Sequence, residues 1–248
     1  MDLSKQVIVS WLALIGIAVA GNSSFYTPEE DLGGLTYHRA ANDQLPNVLI
    51  IGDSISIGYT TPVIEKLAGI ANVERIPVNG GDTASGLRRI NHWVGQKKWD
   101  VIHFNFGLHD LCYRHPDSPN HGHRDKINGT IAVPLDQYEK NLEQLVARLE
   151  ATGAALVWAS TTVVPDGELG RIAGDEIRYN QVAARVMKKH HIAMDDLHAV
   201  TASFGPELFR AFGDVHYVKA GYEELAGQVA ESIKKALGEK VKQGSNHE

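Results

Sequence analysis

Four short segments of this chain carry side chains that can do chemistry together. Gly52-Asp53-Ser54-Ile55-Ser56 presents a hydroxyl in a turn, and Asn79-Gly80-Gly81-Asp82-Thr83 exposes backbone through its glycines. Gly107-Leu108-His109-Asp110 adds a side-chain donor, and Gly213-Asp214-Val215-His216 places an acid two residues before a late histidine. These are the parts that acyl transfer requires. A hydroxyl becomes a nucleophile only beside a base, and the oxyanion that its attack creates needs donors already in place.

Such parts must be brought together by elements, and the sequence names them. Apolar runs at 48–51, 73–78, 101–106, 155–160 and 192–194 read as five short buried strands. Helical spacing appears at 57–67, with Pro62 near the start, and at 84–93, 135–152, 175–190 and 219–237. The third of these is the clearest, because Tyr138, Leu142, Leu145, Val146 and Leu149 recur on one face and Gly153 ends it. Strands alternating with helices predict an α/β fold with a parallel sheet covered on both faces. Ligands in such sheets bind at the carboxyl ends of the strands. The first three chemical segments each follow a strand, and the fourth precedes the last helix.

On these segments the chain resembles the SGNH, or GDSL-type, hydrolases. Gly52-Asp53-Ser54 is similar to the family's first block, which makes Ser54 the nucleophile. Gly81-Asp82-Thr83 is similar to the second, with the Gly81 amide as an oxyanion donor beside that of Ser54. The third block, normally Gly-x-Asn-Asp, corresponds to Gly107-Leu108-His109-Asp110, and the last is carried by His216 ahead of a Gly- and Leu-containing helix. The resemblance runs from Val48 to about Leu237. It implies a three-layer α/β/α sandwich around a five-stranded parallel sheet of the flavodoxin-like kind, and a serine esterase that uses neither metal nor organic cofactor.

Two positions depart from the family pattern. His109 stands where an asparagine amide normally donates. An imidazole still presents one N–H when neutral and two when charged, so the donor role can persist in a pH-sensitive form; alternatively His109 only packs or bonds to Asp110. The acid normally three residues before the histidine is replaced by Gly213. Asp214, two before His216, either orients the imidazole as the third catalytic member or points to solvent and leaves that task to a backbone carbonyl. The α/β-hydrolase alternative fails, since its Gly-x-Ser-x-Gly elbow would need glycine where Ser56 stands. Ser56 itself reads as a helix-capping hydroxyl.

Residues 1–20 read as a signal peptide: Lys5, an apolar run from Val7 to Ala20, and Ala18-Val19-Ala20 before Gly21. The run is short for a membrane anchor, the competing reading. The expected organisation is therefore signal (1–20), irregular leader (21–46), hydrolase domain (47–240) and flexible tail (241–248), in a secreted or periplasmic protein with no stable membrane insertion once cleaved. The 248 residues carry a formal charge of −6, which disfavours nucleic acid as a partner. Cys112, the single cysteine, forms no internal disulfide and reads as a small buried side chain. Between Leu111 and Pro134, His115, His121 and His123 alternate with Asp117 and Asp125 without fixed ligand spacing, which favours a loop over the site mouth rather than zinc. Sequons at Asn22 and Asn128 matter only in a glycosylating host. The expected substrate is a small or carbohydrate-borne ester, short acyl groups first. A glycan-binding protein with a lost site and an acyltransferase are the other two readings.

Overall fold

The structure, a computed structural model, describes residues 42–245. The expected signal segment and most of the leader lie outside these residues.

Short runs bounded by turn residues make the strands, buried on both faces at the centre of the main sheet and partly exposed at its two edges. They are β1 (Asn47–Ile51), β2 (Asn72–Arg75) and β3 (Val101–Phe104), followed by a small hairpin of β4 (Tyr113–Arg114) and β5 (Thr130–Ile131), then β6 (Ala155–Ala159) and β7 (Ala193–Asp195). The main sheet is parallel throughout, in the order β2-β1-β3-β6-β7. Register is continuous across it: Val48 faces Val73 on one side and Val101 on the other, and Val101 faces Ala155. Helices α1 (Ser54–Lys66), α2 (Thr83–Val94), α3 (Leu135–Glu150), α4 (Asp175–Lys189), α5 (Leu197–Ala202) and α6 (Lys219–Ser245) alternate with the strands. α1 packs on α6, while α2, α3 and α4 pack in series. The result is the expected α/β/α sandwich.

The core fills both interlayer spaces. Phe104 and Trp158 meet edge to face at 5.2 Å, and Tyr138 of α3 meets Tyr179 of α4 at 4.9 Å. Polar groups sit in the core as well: fully buried His103 contacts Asp195 at 2.9 Å, and Gln228 of α6 donates to the same carboxylate.

Several boundaries differ from the sequence reading, each for a local reason. α1 begins at Ser54 rather than 57, because the Asp53 side chain accepts from the Ile55 amide and caps it. Ser56 is thus not the cap. Pro62 lies deep in α1 rather than near its start, and the helix continues through it. α6 runs on to Ser245, past the boundary expected at 240 and through residues 241–245 of the expected tail. The 111–134 stretch is built rather than merely solvated. It holds the β4–β5 hairpin, and Leu111 and Cys112 are buried.

Candidate active site

Ser54 is the first residue of α1, directly beyond the carboxyl end of β1. His216 arrives from the other end of the chain on a tight loop. Arg210 donates its amide to the His216 carbonyl at 2.8 Å, and Val218 donates to Leu208, so residues 208–218 close on themselves. Across 162 residues of sequence, His216 Nε2 stands 2.8 Å from Ser54 Oγ. Its Nδ1 stands 2.6 Å from Asp214 Oδ1, and its backbone amide donates to that same oxygen at 3.0 Å. Arg210 Nε donates to the other carboxylate oxygen at 2.7 Å. The structure therefore brings Ser54, His216 and Asp214 into one line.

The backbone explains why the acid stands at 214. Gly213 has φ +71°, a left-handed value that L side chains rarely adopt, and a Cβ there would lie 2.6 Å from the Gly167 carbonyl oxygen. An aspartate at 213 is sterically barred in this loop. Burial works to raise the Asp214 carboxyl, but hydrogen bonds from the His216 amide and ring and from Arg210 outweigh it. They hold the group below the usual carboxylate range.

The expected oxyanion donors differ in readiness. The Ser54 amide, at the amino end of α1, has no partner among the described residues. The Gly81 amide is already engaged, donating to Asn79 Oδ1 at 3.0 Å, so its expected place in an oxyanion hole requires that bond to be shared or released. Glycine at position 80 lets the two blocks touch: its amide donates to Gly52 O at 2.9 Å, and a Cβ there would sit 2.8 Å from that oxygen. His109 is half-buried and its ring makes no hydrogen bond among the described residues, so it does not bond to Asp110. Burial, aided by the charges of Arg171, Arg114 and His216, holds its imidazole well below the ordinary histidine range. That favours the neutral ring, which as a donor presents a single N–H. The backbone N–H of His109 is also open among the described residues, because Arg171 Nε grips the preceding Leu108 carbonyl at 2.6 Å on the other side.

Asp110 does different work. Its Oδ1 accepts from the Thr83 amide at 2.9 Å and the Thr83 hydroxyl at 2.5 Å, tying the third block to the start of α2. Burial, reinforced by the Asp82 charge, pushes its carboxyl well above the usual range. Arg171 in turn shares Glu168 with Arg124, at 2.9 and 2.8 Å. That fixes the wall formed by residues 163–175 against the hairpin.

Sequence reasoning passed over Arg75, at the end of β2. Its Nε donates to Ser56 Oγ at 2.9 Å, Nη1 to Ile76 O at 2.6 Å, and Nη2 lies 3.1, 3.3 and 3.0 Å from Gly52 O, Asp53 O and Val78 O. A lone arginine on an edge strand carries no sequence signal for such a role.

The histidine-rich loop has local tasks. Asp125 accepts from the Ile127 and Asn128 amides, and His115 Nδ1 accepts from the Asp117 amide at 3.3 Å. Among the described residues no three His, Cys, Asp or Glu side chains are grouped to hold a metal ion, and no helix is long and apolar enough to cross a membrane. Beside the nucleophile turn lies a small cleft, with Ile55, Leu108, Tyr59 and Thr162 among its walls.

Known proteins carry the same frame. A lipase/acylhydrolase from Enterococcus faecalis superimposes with a TM-score of 0.63 at 22% identity, covering 77% of this chain and 96% of that one. The acetyl xylan esterase AlAXEase gives 0.58 at 19% identity, covering 75% and 99%. An acetylxylan esterase from Geobacillus stearothermophilus gives 0.57 at 19%, covering 78% and 94%. No curated relative matches the sequence. The sequence profile of the GDSL-like lipase/acylhydrolase family matches residues 50–224, which takes in all four chemical segments. A serine at the end of the first strand, met there by a histidine from the last loop, thus stands within a matched stretch of more than half the chain, and the protein belongs to the GDSL-like lipase/acylhydrolase family of carboxylic ester hydrolases.

Proposed function

We propose that this acylhydrolase removes short acyl groups, acetyl foremost, from carbohydrate, with Ser54, His216 and Asp214 as its catalytic residues. The observation that carries the mechanism is the line from Ser54 Oγ to His216 Nε2 at 2.8 Å and from Nδ1 to Asp214 at 2.6 Å. Ser54 Oγ attacks the ester carbonyl as its proton passes to His216 Nε2. Asp214 accepts from Nδ1–H, which fixes the tautomer and stabilises the imidazolium. The oxyanion takes hydrogen bonds from the Ser54 amide, His109 and, once Asn79 yields it, the Gly81 amide. The carbon–oxygen bond to the alcohol then breaks, and the alcohol leaves with the proton from His216. Water, deprotonated by the same imidazole, attacks the acyl-serine and releases the acid with free Ser54.

Three features support the substrate class. The cleft beside Ile55 and Leu108 is small and walled mainly by apolar side chains, which suits a short acyl group. Phe212, 87% exposed, offers a flat apolar ring two residues from Asp214, against which the C–H face of a pyranose can lie. Two of the similar folds are named acetyl xylan esterases. The test is acetate release from acetylated xylo-oligosaccharides beside p-nitrophenyl acetate, butyrate and palmitate. Preference for acetyl, and a KM on the oligosaccharide that rises in Phe212→Ala, are expected. Preference for palmitate would overturn the substrate class, and acetyl transfer to sugar exceeding hydrolysis would make the protein an acyltransferase.

Export is part of the proposal, on the strength of the apolar run at 7–20. Amino-terminal sequencing of protein from its native host should begin at or near Gly21; intact Met1 in the membrane fraction would contradict it.

A further inference from the structure

We infer that Arg75 is a positioning residue for the oxyanion, acting through the Asp53–Ser54 peptide. The inference rests on Ser54 being the nucleophile. A peptide unit is planar and trans, so its C=O and N–H point in opposite directions. Whatever grips the Asp53 carbonyl therefore aims the Ser54 N–H. Three groups grip it: Arg75 Nη2 at 3.3 Å, Ser56 Oγ at 2.7 Å and the Ile57 amide at 3.2 Å. Arg75 also holds one of the other two, since its Nε donates to Ser56 Oγ.

The same guanidinium spans both sides of the hole. Nη2 reaches Gly52 O in the nucleophile turn and Val78 O just ahead of Asn79 and Gly80, while Nη1 fixes Ile76 O. Gly52 O is also the acceptor for the Gly80 amide. One planar fork thus sets the spacing between the Ser54 and Gly81 blocks, a geometry that lysine's single point of attachment does not reproduce. No carboxylate oxygen lies within 4 Å of Arg75 among the described residues, so its charge is spent on four carbonyls and the Ser56 hydroxyl. A cation on the Asp53 oxygen polarises the peptide and strengthens the opposite N–H as a donor, as linked hydrogen bonds do. That gain is realised when negative charge develops on the substrate oxygen, so it belongs to the transition state more than to ground-state binding.

The experiment compares wild type, Arg75→Lys and Arg75→Met on p-nitrophenyl acetate and against a phenylboronic acid, whose Ser54 adduct carries the tetrahedral oxyanion. The expected result is a kcat lower by about tenfold or more in Arg75→Met, since loss of a whole donor gives about 10²–10³. KM should stay within about twofold, boronate affinity should fall by the same factor as kcat/KM, and Arg75→Lys should lie between. A folded Arg75→Met with wild-type kcat and boronate affinity overturns the inference. So does a fall in kcat with unchanged boronate affinity, which is what a merely structural role would give. Should Arg75→Met not fold, Arg75→Lys, which keeps the charge, carries the same comparison. A wild-type protein that does not take the boronate at Ser54 would instead sink the serine mechanism itself.

Discussion

In the proposed mechanism the proton of Ser54 Oγ has one acceptor, His216 Nε2, and the quality of that acceptor depends on Asp214. Both Asp214 oxygens are occupied, one by His216 and one by Arg210, so the carboxylate cannot turn away from the imidazole without breaking a 2.7 Å contact. Asp214→Asn should therefore lower kcat/KM on an acetyl ester by more than the roughly 100-fold lost with one oxyanion donor, because an amide there favours the wrong imidazole tautomer. His109→Ala should lower kcat about 100-fold, while His109→Asn restores an amide and retains most of it. Since burial and neighbouring cations keep His109 neutral, the acid limb of the pH profile should be the same in His109→Asn as in wild type. A His109→Ala enzyme with full activity would assign that donation to the open backbone amide instead. Of these residues, Ser54, His109, Asp214 and His216 were legible in the sequence because each is a reactive side chain at a strand end or before the last helix. The reach of Arg75 was not, because it depends on where a side chain points across up to 23 residues, which no local pattern encodes; the grip of Asn79 on the Gly81 amide is an Asx turn that the Asn-Gly-Gly run allows but does not require.

At the scale of elements, capping and loop closure decide what the apolar pattern leaves open. The cores of all five sheet strands were readable from short apolar runs. Their ends were not: residues 76–78 continue the apolar composition of β2 but turn away to meet Arg75. The β4–β5 hairpin and six-residue α5 are too short to carry any periodicity. Between α3 and α4 lies a clasp that pH should modulate. His190 contacts Glu143 at 2.9 Å and Glu150 at 3.1 Å, and Lys189 donates to Glu143. The bond to Glu143 raises the His190 imidazole above its ordinary 6.5, and the bonds from His190 and Lys189 lower the Glu143 carboxyl below its ordinary 4.5. A raised histidine stabilises fully below its unfolded-state value and loses that contribution as pH rises through the folded value. A lowered glutamate stabilises above its unfolded-state value and loses that as pH falls through the folded one. The clasp is thus strongest at about pH 5–6. His190→Gln should lower the urea midpoint most in that range and leave it unchanged at about pH 9, as urea titrations across pH will register; a deficit independent of pH would mean that the ring acts by packing alone.

Across the whole molecule, the sheet order turns distant segments into neighbours. From β1 the chain goes outward to β2, then returns past β1 to β3, so the first and third chemical segments flank the crevice at the carboxyl ends of adjacent strands. α6 packs across from α1, and the loop ahead of it delivers His216 to Ser54. Alternating strands and helices made this layered class readable in advance. The strand order came with the resemblance to the SGNH hydrolases, whose flavodoxin-like sheet implies it, and not from the alternation itself. The central claim is that this assembly activates one hydroxyl among several nearby. The measurement is peptide mapping by mass spectrometry after reaction of the full chain with a fluorophosphonate, read beside ester hydrolysis of the same sample. One adduct on Ser54, gained in step with loss of activity and absent from inactive Ser54→Ala, is the result predicted. An adduct on Ser56, or ester hydrolysis that survives in Ser54→Ala, would contradict it.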